Sequence, residues 1–213
     1  LRNPNAWFAR QWLRSLCERR LTHHKKTIQA CEKLLINQKE PASLRLRALW
    51  ALHAMGLAKP ESLLDDPNEH VRTWAVRLLT DQWPIDSLFG PRPNLLPKGD
   101  PKLEKKFVQL ARSDPSSLVR LALASALQRL PVSSRGKLAQ ALAGRAEDRQ
   151  DHNLPAMVWY GITPLAESDP EALVGVARAT KWRNLRSWIA RSLTDQVKAR
   201  PEGLQALLSL CLL

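Results

Sequence analysis

Cysteine is almost absent from this 213-residue chain. Cys17, Cys31 and Cys211 are too few for a disulfide framework. No Cys-x-x-Cys and no Cys-x-x-Cys-His occurs, so this segment cannot itself hold a c-type haem by the usual attachment. Cys17 and Cys31 stand across an expected helical hairpin. Either they pair or both are buried thiols, and the second is expected because free cysteine behaves as a small hydrophobe. Glycine is scarce, with 8 residues, and Val, Ile, Thr and Tyr form no alternating runs, which argues against a β-rich fold. No stretch approaches the roughly 20 apolar residues of a membrane span. No secretory signal pattern opens the chain. It begins at Leu1 rather than Met, as an excerpt of a larger protein does, and a missing signal in an excerpt says nothing about export.

The usual catalytic motifs are missing as well. There is no Gly-rich phosphate loop, no Gly-x-Ser-x-Gly, no His-Glu-x-x-His and no paired-carboxylate motif. The sequence therefore offers no catalytic, cofactor-binding or metal-binding set. His23 and His24 are adjacent rather than four apart and lack a third ligand, and His53, His70 and His152 are isolated.

What is present is Ala, Leu and Arg, with 44% hydrophobic residues and 15 prolines. This is a helical composition with enough apolar content for a sizeable core. The net charge is +13, unevenly spread: residues 1–50 hold 11 Lys and Arg against 3 Asp and Glu, whereas residues 51–100 hold 5 against 7. A basic surface suits nucleic acid, phosphate or an acidic protein partner, and equally a set of solvated helix faces.

The pattern repeats. "DDPNEHVRTWAVRLL" (65–79) is echoed by "SDPSSLVRLALASAL" (113–127), and more loosely by "EPASLRLRALWAL" (40–52), "NPNAWFARQWLRSL" (3–16) and "TKWRNLRSWIARSL" (180–193). Arginine recurs at 10, 47, 72, 120 and 186. A degenerate copy, "DHNLPAMVWYGI" (151–162), puts Pro155 in that slot. The slots lie 25 to 48 residues apart, around the length of helical-hairpin repeats. The short interval implies an abbreviated helix at 59–65. The long one implies an insertion, and "QWPIDSLFGPRPNLLPKGDP" (82–101) reads as a loop with five prolines. Further helices are expected at 22–38, 101–113, 133–148, 170–180 and 201–213 from apolar residues at helical spacing. Asn3-Pro4, Asp66-Pro67, Asp100-Pro101, Asp114-Pro115 and Asp169-Pro170 each read as a capping side chain before a proline at the first helical position. The expected fold is all-α: one solenoid domain over 1–213, of five to six antiparallel helix pairs that bury one another's faces.

An early proline, an Asp near the turn, then Val-Arg and apolar residues into the second helix resemble the HEAT repeat. The resemblance implies a ladder of Arg10, Arg47, Arg72, Arg120 and Arg186 along the array, with Asp66 and Asp114 as its clearest partners and a lapse at Pro155. The blocks "NPNAWFARQWLRSLCERR", "LRLRALWALHAMGL", "VRTWAVRLLTD", "VRLALASALQRLP" and "AEDRQDHNLPAMVWYGITPLAESDPEAL" also resemble, in order over 3–195, the HEAT-repeat segment of large secreted bacterial proteins. Those join a membrane-bound-dehydrogenase-like β-propeller to a c-type cytochrome module. The resemblance implies periplasmic or secreted localisation, haem c elsewhere in the parent, and a non-catalytic scaffold that docks the propeller, the cytochrome module or another protein. The alternative is a basic nucleic-acid-binding array like the HEAT-like DNA glycosylases.

Two surface candidates follow. "CERRLTHHKK" (17–26) is the densest basic cluster, with Arg19, Arg20, His23, His24, Lys25 and Lys26 at an expected inter-helix turn. It reads as a site for phosphate or an acidic domain, or as a solvated turn. Among eight tryptophans, Trp12, Trp74 and Trp188 share one repeat slot and are expected to pack between repeats. Trp83 and Trp182, at a loop and a helix start, are the candidates for exposed contact.

Overall fold

A computed structural model describes residues 1–3, 5–18, 25–86 and 99–211. Among these the only regular structure is helical. Two compact units divide the chain, Leu1–Leu79 and Thr80–Leu213.

The first unit holds α1 (Ala6–Glu18), α2 (Lys25–Ile36), α3 (Ala42–Ala54) and a 3-10 turn at Pro60–Leu63, and α4 (Glu69–Thr80) runs to its boundary. α2 and α3 form a hairpin, and α1 packs on α3. α3 is apolar around most of its circumference. Leu44, Leu46, Ala48, Leu49, Ala51 and Leu52 are all buried, as befits a helix covered on several sides. It ends in a Schellman motif. Gly56 takes φ 72°, its N–H reaches His53 O, and the Leu57 N–H reaches Leu52 O. The abbreviated helix expected at 59–65 is the 3-10 turn at Pro60–Leu63.

The second unit holds α5 (Pro101–Ser113), α6 (Ser117–Ala126), α7 (Val132–Ala143), α8 (Leu154–Ile162), the short α9 (Leu165–Ser168), α10 (Pro170–Ala179), α11 (Arg183–Asp195) and α12 (Pro201–Cys211). It is a two-layer stack. α5, α7, α10 and α12 pack in succession, and so do α6, α8 and α11. The hairpins α5–α6, α7–α8 and α10–α11 join the layers, as in a solenoid. α5 shows why. Leu103, Phe107, Leu110 and Ala111 fall on one face and are buried, while Lys102, Lys105 and Arg112 point away. Complete burial of Phe107 alone contributes about 1.5–3 kcal/mol. Where α8 meets the turn after α6, Gly161 is required. A Cβ there would stand 2.4 Å from the Leu127 Cβ.

Proline helix starts divide into two kinds. Asp100 and Asp169 cap their helices as expected: Asp100 accepts from the Lys102 and Leu103 N–H groups, and Asp169 from that of Ala172. Asp66 and Asp114 do not stand at the helix start. The Asp66 carboxylate accepts from the Asn68 N–H, and Asn68 caps α4 through the N–H groups of His70 and Val71. Asp114 accepts from the Ser116 N–H, and α6 begins at Ser117. In both, the Asp closes a turn before the helix: proline is the next residue, and the helix begins two residues after the proline. Pro4 lies outside the described residues. Of the 82–101 insertion, residues 87–98 lie outside them too, and its first residues are anchored. Arg129 Nη1 donates to the carbonyls of Asp81 and Trp83, and the Asp86 N–H donates to Gln128 O.

Candidate functional site

The repeat arginines are used to tie turns together. Arg72 Nη1 donates to the carbonyls of Asp66 at 2.7 Å and Pro67 at 3.2 Å. Arg120 Nη1 donates to Asp114 O at 2.8 Å, and Arg186 Nη2 to Thr180 O at 2.9 Å. In all three the arginine stands six residues after an Asp or Thr whose side chain closes the turn. The guanidinium satisfies carbonyls of the turn that leads into its own helix. Asp151 closes the corresponding turn before α8, accepting from the Asn153 and Leu154 N–H groups. Six residues on stands Met157. The uncharged rung is therefore Met157 rather than Pro155, which sits buried in the first turn of α8.

Arg120 also reaches forward. Its Nε and Nη2 grip both oxygens of Asp148, in the turn before the next hairpin partner α8, with both side chains nearly inaccessible. The hydrogen bond to Asp148 raises the Arg120 pKa against the opposing pull of burial.

In α3 the same double role falls to Arg45. Its Nε donates to Leu35 O at 2.7 Å, behind it, and its guanidinium pairs with both oxygens of Asp66, ahead of it. The expected rung, Arg47, instead donates to the carbonyls of Leu1 and Asn3, both at 2.8 Å. Asp66 therefore serves Arg45 with its carboxylate and Arg72 with its carbonyl. Asp114 serves Arg120 with its carbonyl, while the ion pair of Arg120 is with Asp148. Arg10 is exposed on α1. Sequence reading missed Arg45 and Arg135. Arg135, on α7, donates to Leu130 O, Gly161 O and the Asp86 carboxylate. The available signal was position: Arg135 follows Leu130-Pro131 one residue sooner than Arg72 follows Asp66-Pro67.

Tryptophan placement is mixed. Trp50 and Trp74 meet edge to face with centroids 4.8 Å apart, so α3 and α4 share an aromatic contact. The cation over Trp74 is Arg77, 5.3 Å from its centroid, not Arg72. Trp159 and Trp188 lie 6.2 Å apart between α8 and α11. Trp12, Trp74 and Trp188 are each half-buried. Trp182 corrects the expectation of an exposed contact. It is 1% accessible, and its Nε1–H donates to Arg145 O at 2.8 Å. An aromatic at a helix start suggests surface, but here it closes the seam between two turns. Trp83 is half-buried beside the anchored start of the insertion.

In the basic cluster Lys25 and Lys26 are exposed at the start of α2, and Arg19, Arg20, His23 and His24 lie outside the described residues. Cys31 is a free, buried thiol, its pKa raised chiefly by desolvation. No group of three His, Cys, Asp or Glu residues among the described residues is placed to hold a metal. No described helix is long and apolar enough to cross a membrane.

Open grooves remain between neighbouring elements of the second unit. One of about 780 Å3 runs along α7, α10 and α12, lined by Gln140, Gly175, Arg178, Glu202 and Gly203 among others. Another, of about 520 Å3, lies between the turns before α8 and α11. Comparison with family models, curated proteins and solved structures returned no match.

Proposed function

We propose that this chain is a non-catalytic interaction scaffold, a HEAT-like array within a larger secreted protein that also carries a dehydrogenase-like propeller and a c-type cytochrome module. The observation that carries the reading is the use of the interior arginines. Arg45, Arg120 and Arg135 are each spent on fixing one turn against another, which supports a structural interior with recognition left to the exposed faces and grooves. The groove along α7, α10 and α12 suits a protein partner better than a small substrate, being long, open and lined by both acidic and basic groups. Haem would belong to the neighbouring module, because the cysteines of this segment lack the attachment spacing and Cys31 is buried. Periplasmic or secreted localisation belongs to the same proposal. The test is the coding sequence on either side. A Cys-x-x-Cys-His within a few hundred residues downstream supports the reading, and a complete short open reading frame overturns it.

A second reading, nucleic-acid binding, draws on the net charge of +13. It requires duplex binding that weakens steeply with salt, and no detectable binding at low salt disposes of it.

A further inference from the structure

The groove between the turns before α8 and α11 is lined by Arg149, Gln150, Lys181, Arg183, Asn184 and Ser187. Three of these are cations and none is an acid. Their setting differs from that of three other arginines in the same unit, which have carboxylates: Arg120 has Asp148, Arg135 has Asp86 and Arg145 has Glu147. Among the described residues, no carboxylate lies within ion-pair distance of Arg149, Lys181 or Arg183.

Three like charges gathered around one concavity repel, and an anion entering it relieves that repulsion. The rest of the wall is suited to oxygen ligands. The Asn184 side-chain oxygen already accepts from the Leu185 N–H, which leaves its amide N–H groups as donors. Gln150 supplies a second side-chain amide. All six side chains are exposed, so an anion reaches them without rearrangement of the core. Arg183 and Asn184 open α11, whose dipole acts in the same direction.

We propose that this groove binds a phosphate group. Arginine forks match phosphate oxygens in pairs, and a phosphate dianion offsets more of the three charges than a carboxylate does. The proposal rests on the groove alone and stands whether or not the scaffold reading does.

Pyrophosphate is the probe, titrated into the intact chain by calorimetry at about 0.02 M and about 0.15 M salt, where screening differs. The expected result is saturable one-site binding that weakens with salt. It should fall about tenfold or more in the triple variant Arg149→Gln, Lys181→Gln, Arg183→Gln. Arg178→Gln, in the separate groove along α10, should bind as the parent does. Thermal melts of each variant check that the fold is kept, which the exposure of the substituted residues favours. A single-stranded oligonucleotide that displaces pyrophosphate assigns the phosphate to a nucleic-acid backbone; one that does not assigns it to a free phosphate compound. Absence of saturable binding at low salt, or equal binding by a folded triple variant, overturns the proposal.

Discussion

Arg120 and Asp148 lie 28 residues apart in the chain and meet in the interior as a two-pronged ion pair, with Nη2 to Oδ1 at 2.6 Å. The same guanidinium holds the carbonyl of Asp114. One side chain thus ties the turn before its own helix to the turn before the next helix of its layer. Taking two charges out of water costs about as much as their attraction returns, so such a pair is weak as glue and strong as a constraint. The constraint is register: if one hairpin slides by a residue, both charges are left buried without each other.

Arg45 and Arg47 separate the two kinds of arginine within one helix. Arg45 is 3% exposed and ion-paired, whereas Arg47 is half-buried and bonds only carbonyls of the N-terminal segment. Arg45→Ala leaves Asp66 uncompensated and is expected to cost about 3–5 kcal/mol, whereas Arg47→Ala costs about 1 kcal/mol. Urea unfolding followed by the tryptophan fluorescence of the first unit measures both. Equal losses would mean that the ion pair is no more than a surface contact.

Gly161 tests the packing of α8. Gly161→Ala places a Cβ 2.4 Å from the Leu127 Cβ, a distance at which one backbone must shift. The expected loss is about 1–3 kcal/mol, read as a lowered midpoint of denaturation. Gly56→Ala also strains the chain, but for a different reason: it forces a Cβ into a left-handed turn with open space around it.

Helices and layers were largely legible because two signals agreed. Apolar spacing marked the faces, as at Leu103, Phe107 and Leu110, and Asp-Pro marked starts at 100 and 169. Partnerships were less legible. "LRLR" offers two arginines two residues apart, and periodicity does not say which one faces the next turn; that depends on the short 3-10 connection that carries Asp66 round to Arg45. Asp148 lies outside the repeated motif altogether. The basic groove was hidden for a related reason. Arg149 and Lys181 are distant in sequence and meet only because successive turns stack on one edge.

Cys31 reports on the closure of the α2–α3 hairpin. Burial raises its pKa, so alkylation at pH 7–8 should be slow in the folded chain and fast in urea. For a raised acid the sign is fixed. The stabilising contribution is complete below the unfolded thiol value and is lost as pH rises through the folded one. Rapid labelling of the native protein at pH 7 would show that the hairpin is open.

Glu40 offers a carboxylate titration. A hydrogen bond from Arg2, which is exposed, lowers the pKa of the half-buried Glu40. Its contribution is present above the unfolded carboxylate value and lost as pH falls through the folded one. NMR titration should find the Glu40 midpoint below that of an ordinary glutamate. Arg2→Ala should bring it back up, and an unchanged midpoint would show that the contact is not formed in solution.

The most direct test of arginines as register pins is a double-mutant cycle on Arg120 and Asp148. Arg120→Ala and Asp148→Ala are each expected to cost about 3–5 kcal/mol, because each strands a buried charge. The double variant Arg120→Ala, Asp148→Ala should cost clearly less than the sum of the two single losses, giving a coupling energy of several kcal/mol by denaturant unfolding. Two small, additive losses would contradict the account and return Arg120 to the surface-like arginines.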